Sequence, residues 1–196
     1  MKRISLLAIL ALSLAAPSMM MAQGDYNHGE VGVFADYMRL NTSPGINFVG
    51  VGGRVSFNAN SFLALEGEMS YDFARNYTTT FNNGVTTQFA TSSLRPLSGL
   101  FGPAFKIGGS SPFRAFVTGK VGFINFSTTS QNGTAGFTSS IDAVTGGDTH
   151  FAVYPGAGIE GFWGPFGLRL DAGDEMFFSG GTHHNLKVEF GPHIRF

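Results

Sequence analysis

The stretch from Asn185 to Phe196 (NLKVEFGPHIRF) places its alternate residues in two unlike surroundings. Leu186, Val188, Phe190, Pro192, Ile194 and Phe196 are apolar, whereas Lys187, Glu189, His193 and Arg195 are polar, with Gly191 between them. Such a period of two is a β-strand with two different faces. A strand of about 9–11 residues crosses a bilayer when tilted by roughly 45°. One apolar and one charged face over that length fit a wall with lipid on one side and a polar interior on the other.

The same alternation recurs upstream. A first strand over 30–40 sets Val31, Val33, Ala35 and Tyr37 against Glu30, Gly32, Phe34, Asp36 and Met38. A second, over 48–57, sets Val49, Val51, Val55 and Phe57 against Gly50, Gly52, Arg54 and Ser56. A third sets Leu63, Leu65, Met69 and Tyr71 against Ala64, Glu66, Glu68 and Ser70. Further strands are expected over 94–107, 113–126, 150–163 and 166–177. The connections at 58–61, 108–112 and 164–165 are short, while those at 41–47, 72–93, 127–149 and 179–184 are generally longer. Many alternating segments with turn signals between them indicate an all-β chain. The expected architecture is an eight-stranded antiparallel transmembrane β-barrel with up-and-down, meander order. Membrane barrels of this kind have short turns at one end, longer loops at the other, and aromatic girdles. Phe57, Phe62, Phe113, Trp163, Phe166 and Phe196 would form the girdle at the short-turn end.

Charge placement tests that register. Parity sends Glu30, Asp36, Glu66, Glu68, Glu160, Asp171 and Glu189 inward, together with Arg54, Lys106, Arg114, Lys120, Arg169, Lys187 and Arg195. Acids and bases balance, so a network of paired charges filling the lumen is expected, because an eight-stranded interior is just wide enough for side chains to fill it. Arg39, Arg95 and Asp174 fall on the outer face, all near loop-side strand ends. Facing lipid at the midplane would cost a basic residue about 2–4 kcal/mol, and near the interface almost nothing.

Residues 1–22 read as a signal peptide. Lys2 and Arg3 precede an apolar run from Ile4 to Ala16, too short for a membrane helix, and small residues lead to an expected cleavage after Ala22. Residues 23–196 would then form one barrel domain. With no cysteine, lipid attachment through a cysteine, disulfides and thiolate metal sites are excluded. A net charge of −1 gives no reason to expect nucleic acid as a partner.

FGPAFKI at 101–107 and FGPHIRF at 190–196 share their spacing of aromatic, Gly, Pro and basic residues, consistent with two related four-stranded halves. Pro103, Pro155 and Pro192 each remove a ladder donor from a strand, so bulges are expected there.

Taken together, the apolar N-terminal segment, the strands EVGVFADYMRL and LALEGEMSY, and the alternating stretch ending in Phe196 resemble the small bacterial outer-membrane β-barrels. That class is typified by the OmpA membrane domain and OmpX and by porin-family outer-membrane β-barrel proteins. The resemblance implies location in the bacterial outer membrane, contact with its lipid and lipopolysaccharide, and insertion by the barrel-insertion machinery. Phe190, Ile194 and Phe196 would act as the assembly signal. A peptidoglycan-binding domain, which OmpA carries after its barrel, is not expected here.

The remaining motifs carry weaker chemistry. His183 and His184, with Ser179, Asp174 and Glu175 nearby, invite a lipid A-modifying enzyme or a metal site, but adjacent residues on extended chain point opposite ways. VGVGGRV at 49–55 lacks the following helix that a phosphate-binding glycine loop needs. No catalytic residue, metal or cofactor is therefore expected. The expected function is a monomeric, structural component of the envelope. The alternatives are a surface-binding module acting on an extracellular ligand through 72–93 and 127–149, which hold Phe81, Phe89 and Phe137, and a narrow pore.

Overall fold

The computed structural model describes residues 27–41, 45–82, 87–108, 111–132 and 149–196. The expected export segment at 1–22 lies outside them, as does Phe137. Eleven strand segments are present: β1 (Gly29–Leu40), β2 (Ile46–Asn58), β3 (Leu63–Asp72), β4 (Arg75–Asn82), β5 (Thr87–Ile107), β6 (Phe113–Asn132), β7 (Thr149–Trp163), β8 (Phe166–Asp174), β9 (Met176–Phe178), β10 (Thr182–His183) and β11 (Asn185–Arg195). β3 and β4 form one interrupted stave, as do β8 with β9 and β10 with β11. Eight staves result, each antiparallel to its neighbours, and β1 pairs with β11 to close the barrel. Gly29 and Phe196 complete that seam by exchanging backbone hydrogen bonds of 3.0 and 2.9 Å.

Alternation decides which side each residue faces. Val51, Val55, Leu65, Met69, Val121, Leu170, Phe190 and Ile194 are exposed on the outer wall, while Arg54, Glu66, Glu68, Lys120, Arg169 and Glu189 on the same strands are buried. In a soluble protein that apolar wall would be an aggregation hazard; in a bilayer it is solvated by lipid. The girdle residues Phe57, Phe62, Phe113, Trp163 and Phe166 are exposed at the short-turn end. Gly164 opens the tightest of those turns with φ at 65°, a conformation in which a Cβ is strained.

Two expectations need correction. Parts of 72–93 and 127–149 are strand, because β4, the start of β5 and the end of β6 continue the wall beyond the barrel. Their Thr, Asn and Ser content suggested loops, but Thr, Tyr and Phe at such density also favour strands. Phe81 and Phe89 thus lie in β4 and β5.

The prolines, moreover, make no bulges. Pairing is lost at Gly102 and Pro103 between β5 and β6, and at Gly191 and Pro192 between β1 and β11, but the register resumes unshifted on both sides. Pro155 stays in register opposite Gly119. Within the β5–β6 pairing the register shifts only between Thr91 and Ser92. Where the ladder lapses at Pro103, its carbonyl accepts from the Thr118 hydroxyl at 3.0 Å. The two FGP motifs are structurally alike. Gly102 and Gly191 face inward, where a Cβ would collide with the backbone of the adjoining strand.

Candidate functional site

Inward side chains are stacked in layers along the barrel axis. At the short-turn end, Lys106 bridges Glu30 at 2.7 Å and Asn58 at 2.8 Å, and Arg114 reaches Glu30 at 3.1 Å and Glu160 at 2.7 Å. The middle layer is denser. Arg169 holds Glu66 with two bonds, of 2.6 and 2.9 Å, and also reaches Asp171 at 3.1 Å. Lys120 lies 2.7 Å from Glu68 and 3.3 Å from Glu66. Arg54 donates to Glu68 at 2.8 Å and to Glu189, and the Tyr154 hydroxyl donates to Asp171 at 2.8 Å. Such charge-assisted and bidentate contacts are the strong ones inside a low-dielectric interior.

Aromatic rings are interleaved with these charges. The Arg169 guanidinium sits 3.7 Å from the Phe116 ring centre, and Arg114 sits 4.5 Å from that of Phe162. Glycines make room for the rings, since Phe116 covers Gly158 and Tyr154 covers Gly173. A narrow barrel takes large inward groups by pairing them with small ones on the next strand.

Above the middle layer Lys187 is surrounded by acids, with Glu175 at 2.8 Å, Glu189 at 3.4 Å and Asp36 at 3.7 Å, and it donates to Ser70 at 2.9 Å. Asp36 and Asp72 flank Gly50 on neighbouring strands, and none of their four carboxylate oxygens has a hydrogen-bond partner. Higher still, Met38, Leu40, Phe48, Leu94, Ile124, Phe126 and Phe177 form a buried apolar layer across the lumen.

Of the residues assigned inward from the sequence, Arg54, Glu66, Glu68, Arg114, Lys120, Glu160, Arg169, Asp171, Lys187 and Glu189 are buried inside the barrel. Arg195 is different. It lies at the lip, donating to the Gly164 carbonyl at 3.0 Å and stacking on Phe162, and has no carboxylate partner among the described residues. Two further acids are buried: Asp72, which the sequence reading left in a loop, and Glu175, which it placed in a strand but not among the inward charges. Nine buried carboxylates therefore face six buried Lys and Arg among the described residues, which corrects the expected balance. Strand parity continued by one step from Ser70 reaches Asp72, and continued from Asp171 it reaches Glu175.

Phe190 and Ile194 face outward, and the ring of Phe196 covers Gly29. His183 stacks on Phe177, with ring centres 4.7 Å apart, whereas His184 pairs with Asp174 at 2.6 Å on the other side of the wall. The two imidazoles thus serve no common centre. Glu30, Glu160 and His193 bring one ligand atom each within 4.8 Å, which is metal-like spacing. Lys106 and Arg114 already neutralise those two carboxylates, so a dication there would meet two fixed cations.

The fold resembles solved barrels. Neisserial surface protein A is 11% identical with a TM-score of 0.54, over 86% of this chain and 97% of that one. OprG of Pseudomonas aeruginosa is 10% identical with a TM-score of 0.50, over 87% and 96%. Ail, the attachment invasion locus protein of Yersinia pestis, is 15% identical with a TM-score of 0.48, over 87% and 97%. No protein-family model matches the sequence, and no curated protein is significantly similar to it. By fold the chain is similar to the small eight-stranded outer-membrane β-barrels, and its apolar outer belt is the surface such a barrel turns to lipid.

Proposed function

We propose that the protein is a non-conducting, structural barrel of the bacterial outer membrane that contributes to envelope integrity. The observation that carries this reading is the lumen, which is filled by ion pairs below and by apolar side chains above. The inward charges act as internal struts, each cation bound to one or more carboxylates rather than to permeating ions. Phe190, Ile194 and Phe196 act as the signal for the insertion machinery, and the barrel works as a monomer.

A second reading is favoured by one observation: β4, β5 and β6 continue as paired strands beyond the closed part of the wall. A rigid support of that kind can present a binding surface. Gene deletion followed by complementation separates the two. If the structural reading holds, cells lacking the protein take up more of a hydrophobic dye, and a barrel trimmed between residues 76 and 93 restores the wild-type barrier. Restoration by the full chain alone would favour the binding surface, and an unchanged barrier in the deletion strain would contradict the structural reading.

A further inference from the structure

The outer wall carries its charge unevenly. Arg39 on β1, Arg75 on β4 and Arg95 on β5 are exposed at the end of the barrel opposite the short turns. They lie on one arc of adjacent staves. Arg39 pairs in register with Asn47, whose carbonyl accepts from Arg75 at 3.2 Å, while Arg95 donates to the Tyr71 hydroxyl at 3.0 Å. The nearest outward acid in the sequence pattern, Asp174, is occupied by His184. Among the described residues none of these three arginines has a carboxylate partner, so the arc is a cationic surface at the level of lipid headgroups.

Below this arc the outer wall is hollowed. A groove of about 610 Å³ is floored by Gly53, Gly67 and Gly99 and walled by Val55, Phe101 and Phe123. Gly99 and Arg95 face the same way on β5, four residues apart, about 13 Å along a strand. The charge and the groove therefore share one path down the wall, with Tyr71 and Met69 beside them on β3.

We infer that this face is a specific site for a phosphate-bearing lipid of the outer leaflet: the arginine arc receives the phosphate and the glycine groove receives an acyl chain. A planar guanidinium matches phosphate oxygens in geometry and charge. An acyl chain fills the apolar hollow over Gly53 and Gly67, beside the Phe123 ring that covers Gly99. A neutral lipid would leave the three cations unanswered, and a free anion would leave the groove unused. The inference rests on the chain being an outer-membrane barrel and adds a lipid site to its structural role.

The test uses the refolded protein in phosphatidylcholine nanodiscs, with the barrel verified by a heat-dependent gel shift before any binding is read. Bisphosphorylated lipid A and its fully dephosphorylated form are titrated, and bound lipid is counted by native mass spectrometry. The phosphorylated form is expected to bind roughly tenfold or more tightly. The triple variant R39Q/R75Q/R95Q should lose that preference, and Gly53→Leu with Gly67→Leu should weaken both lipids, since a Cβ at either glycine meets no contact shorter than 3.7 Å. Equal binding of the two lipids, an unchanged preference in the triple variant, or complete displacement by inorganic phosphate would each overturn the site. A gel that shows no folded barrel would instead count against the outer-membrane reading on which the inference rests.

Discussion

The middle and upper layers of the lumen are built from the same residue types but differ in how completely they are paired. In the middle, Glu66, Glu68 and Asp171 share Arg54, Lys120 and Arg169, and most contacts are short and directional. One layer higher, Lys187 is the only cation paired with Asp36 and Glu175 among the described residues and shares Glu189 with Arg54, while the oxygens of Asp36 and Asp72 are left without hydrogen bonds. Buried charge contributes to a fold only when its partner geometry is complete, and is costly when it is not. The middle layer is thus the strut of the barrel, and the upper layer is a source of internal repulsion capped by apolar side chains.

The largest effect should come from breaking the strut. Arg169→Met strips Glu66 of two hydrogen bonds in a dry interior, and a loss of about 3–5 kcal/mol is expected in urea unfolding from detergent micelles. A change below 1 kcal/mol would remove the distinction between the layers. Next comes the steric floor of the same layer. A Cβ at Gly158 would meet the Leu170 carbonyl and the Phe116 ring that stacks on Arg169. Gly158→Val should therefore cost about 1–3 kcal/mol through overpacking, read in the same titration.

The upper layer should respond with the opposite sign. Asp72→Asn replaces a buried acid that has no hydrogen-bond partner and sits beside Asp36, and a gain of up to about 1 kcal/mol is expected at neutral pH. Destabilisation by that substitution would mean that the carboxylate is held by something essential. Arg195→Gln, at the lip and open to solvent, should change stability by less than about 0.5 kcal/mol. A larger loss would move Arg195 back into the network to which sequence parity assigns it.

Much of this was legible from residue order, and the exceptions have physical causes. Alternation over 30–40, 48–57 and 185–196 identifies the wall, because lipid tolerates almost no charge and so sorts residues strictly by parity. Asp72 escaped because it sits where alternation meets a strand interruption, next to Phe73, and resembles the start of a loop; Glu175, inside an expected strand, escaped because it stands at the break between β8 and β9, directly after the outward Asp174. The apolar upper layer is hidden for a different reason. Met38, Leu40, Leu94 and Ile124 face inward among neighbours whose outward partners are of mixed character, so hydrophobicity alone does not tell inside from outside there. The prolines misled because loss of one donor need not shift a register: pairing lapses over two residues at Pro103 and at Pro192 and resumes in the same frame on either side. The arginine arc needed the structure, since Arg39, Arg75 and Arg95 stand on different strands and the contacts that place two of them, Arg75 to Asn47 and Arg95 to Tyr71, cross from strand to strand.

Single-channel recording of the refolded barrel in a planar bilayer tests the filled lumen most directly. A folded protein, verified by its heat-dependent gel shift, should give no steady current, and Arg169→Met should introduce only irregular, brief openings. A stable open level in the wild-type protein would contradict a lumen closed by ion pairs and apolar side chains, and would make those charges the lining of a water-filled path.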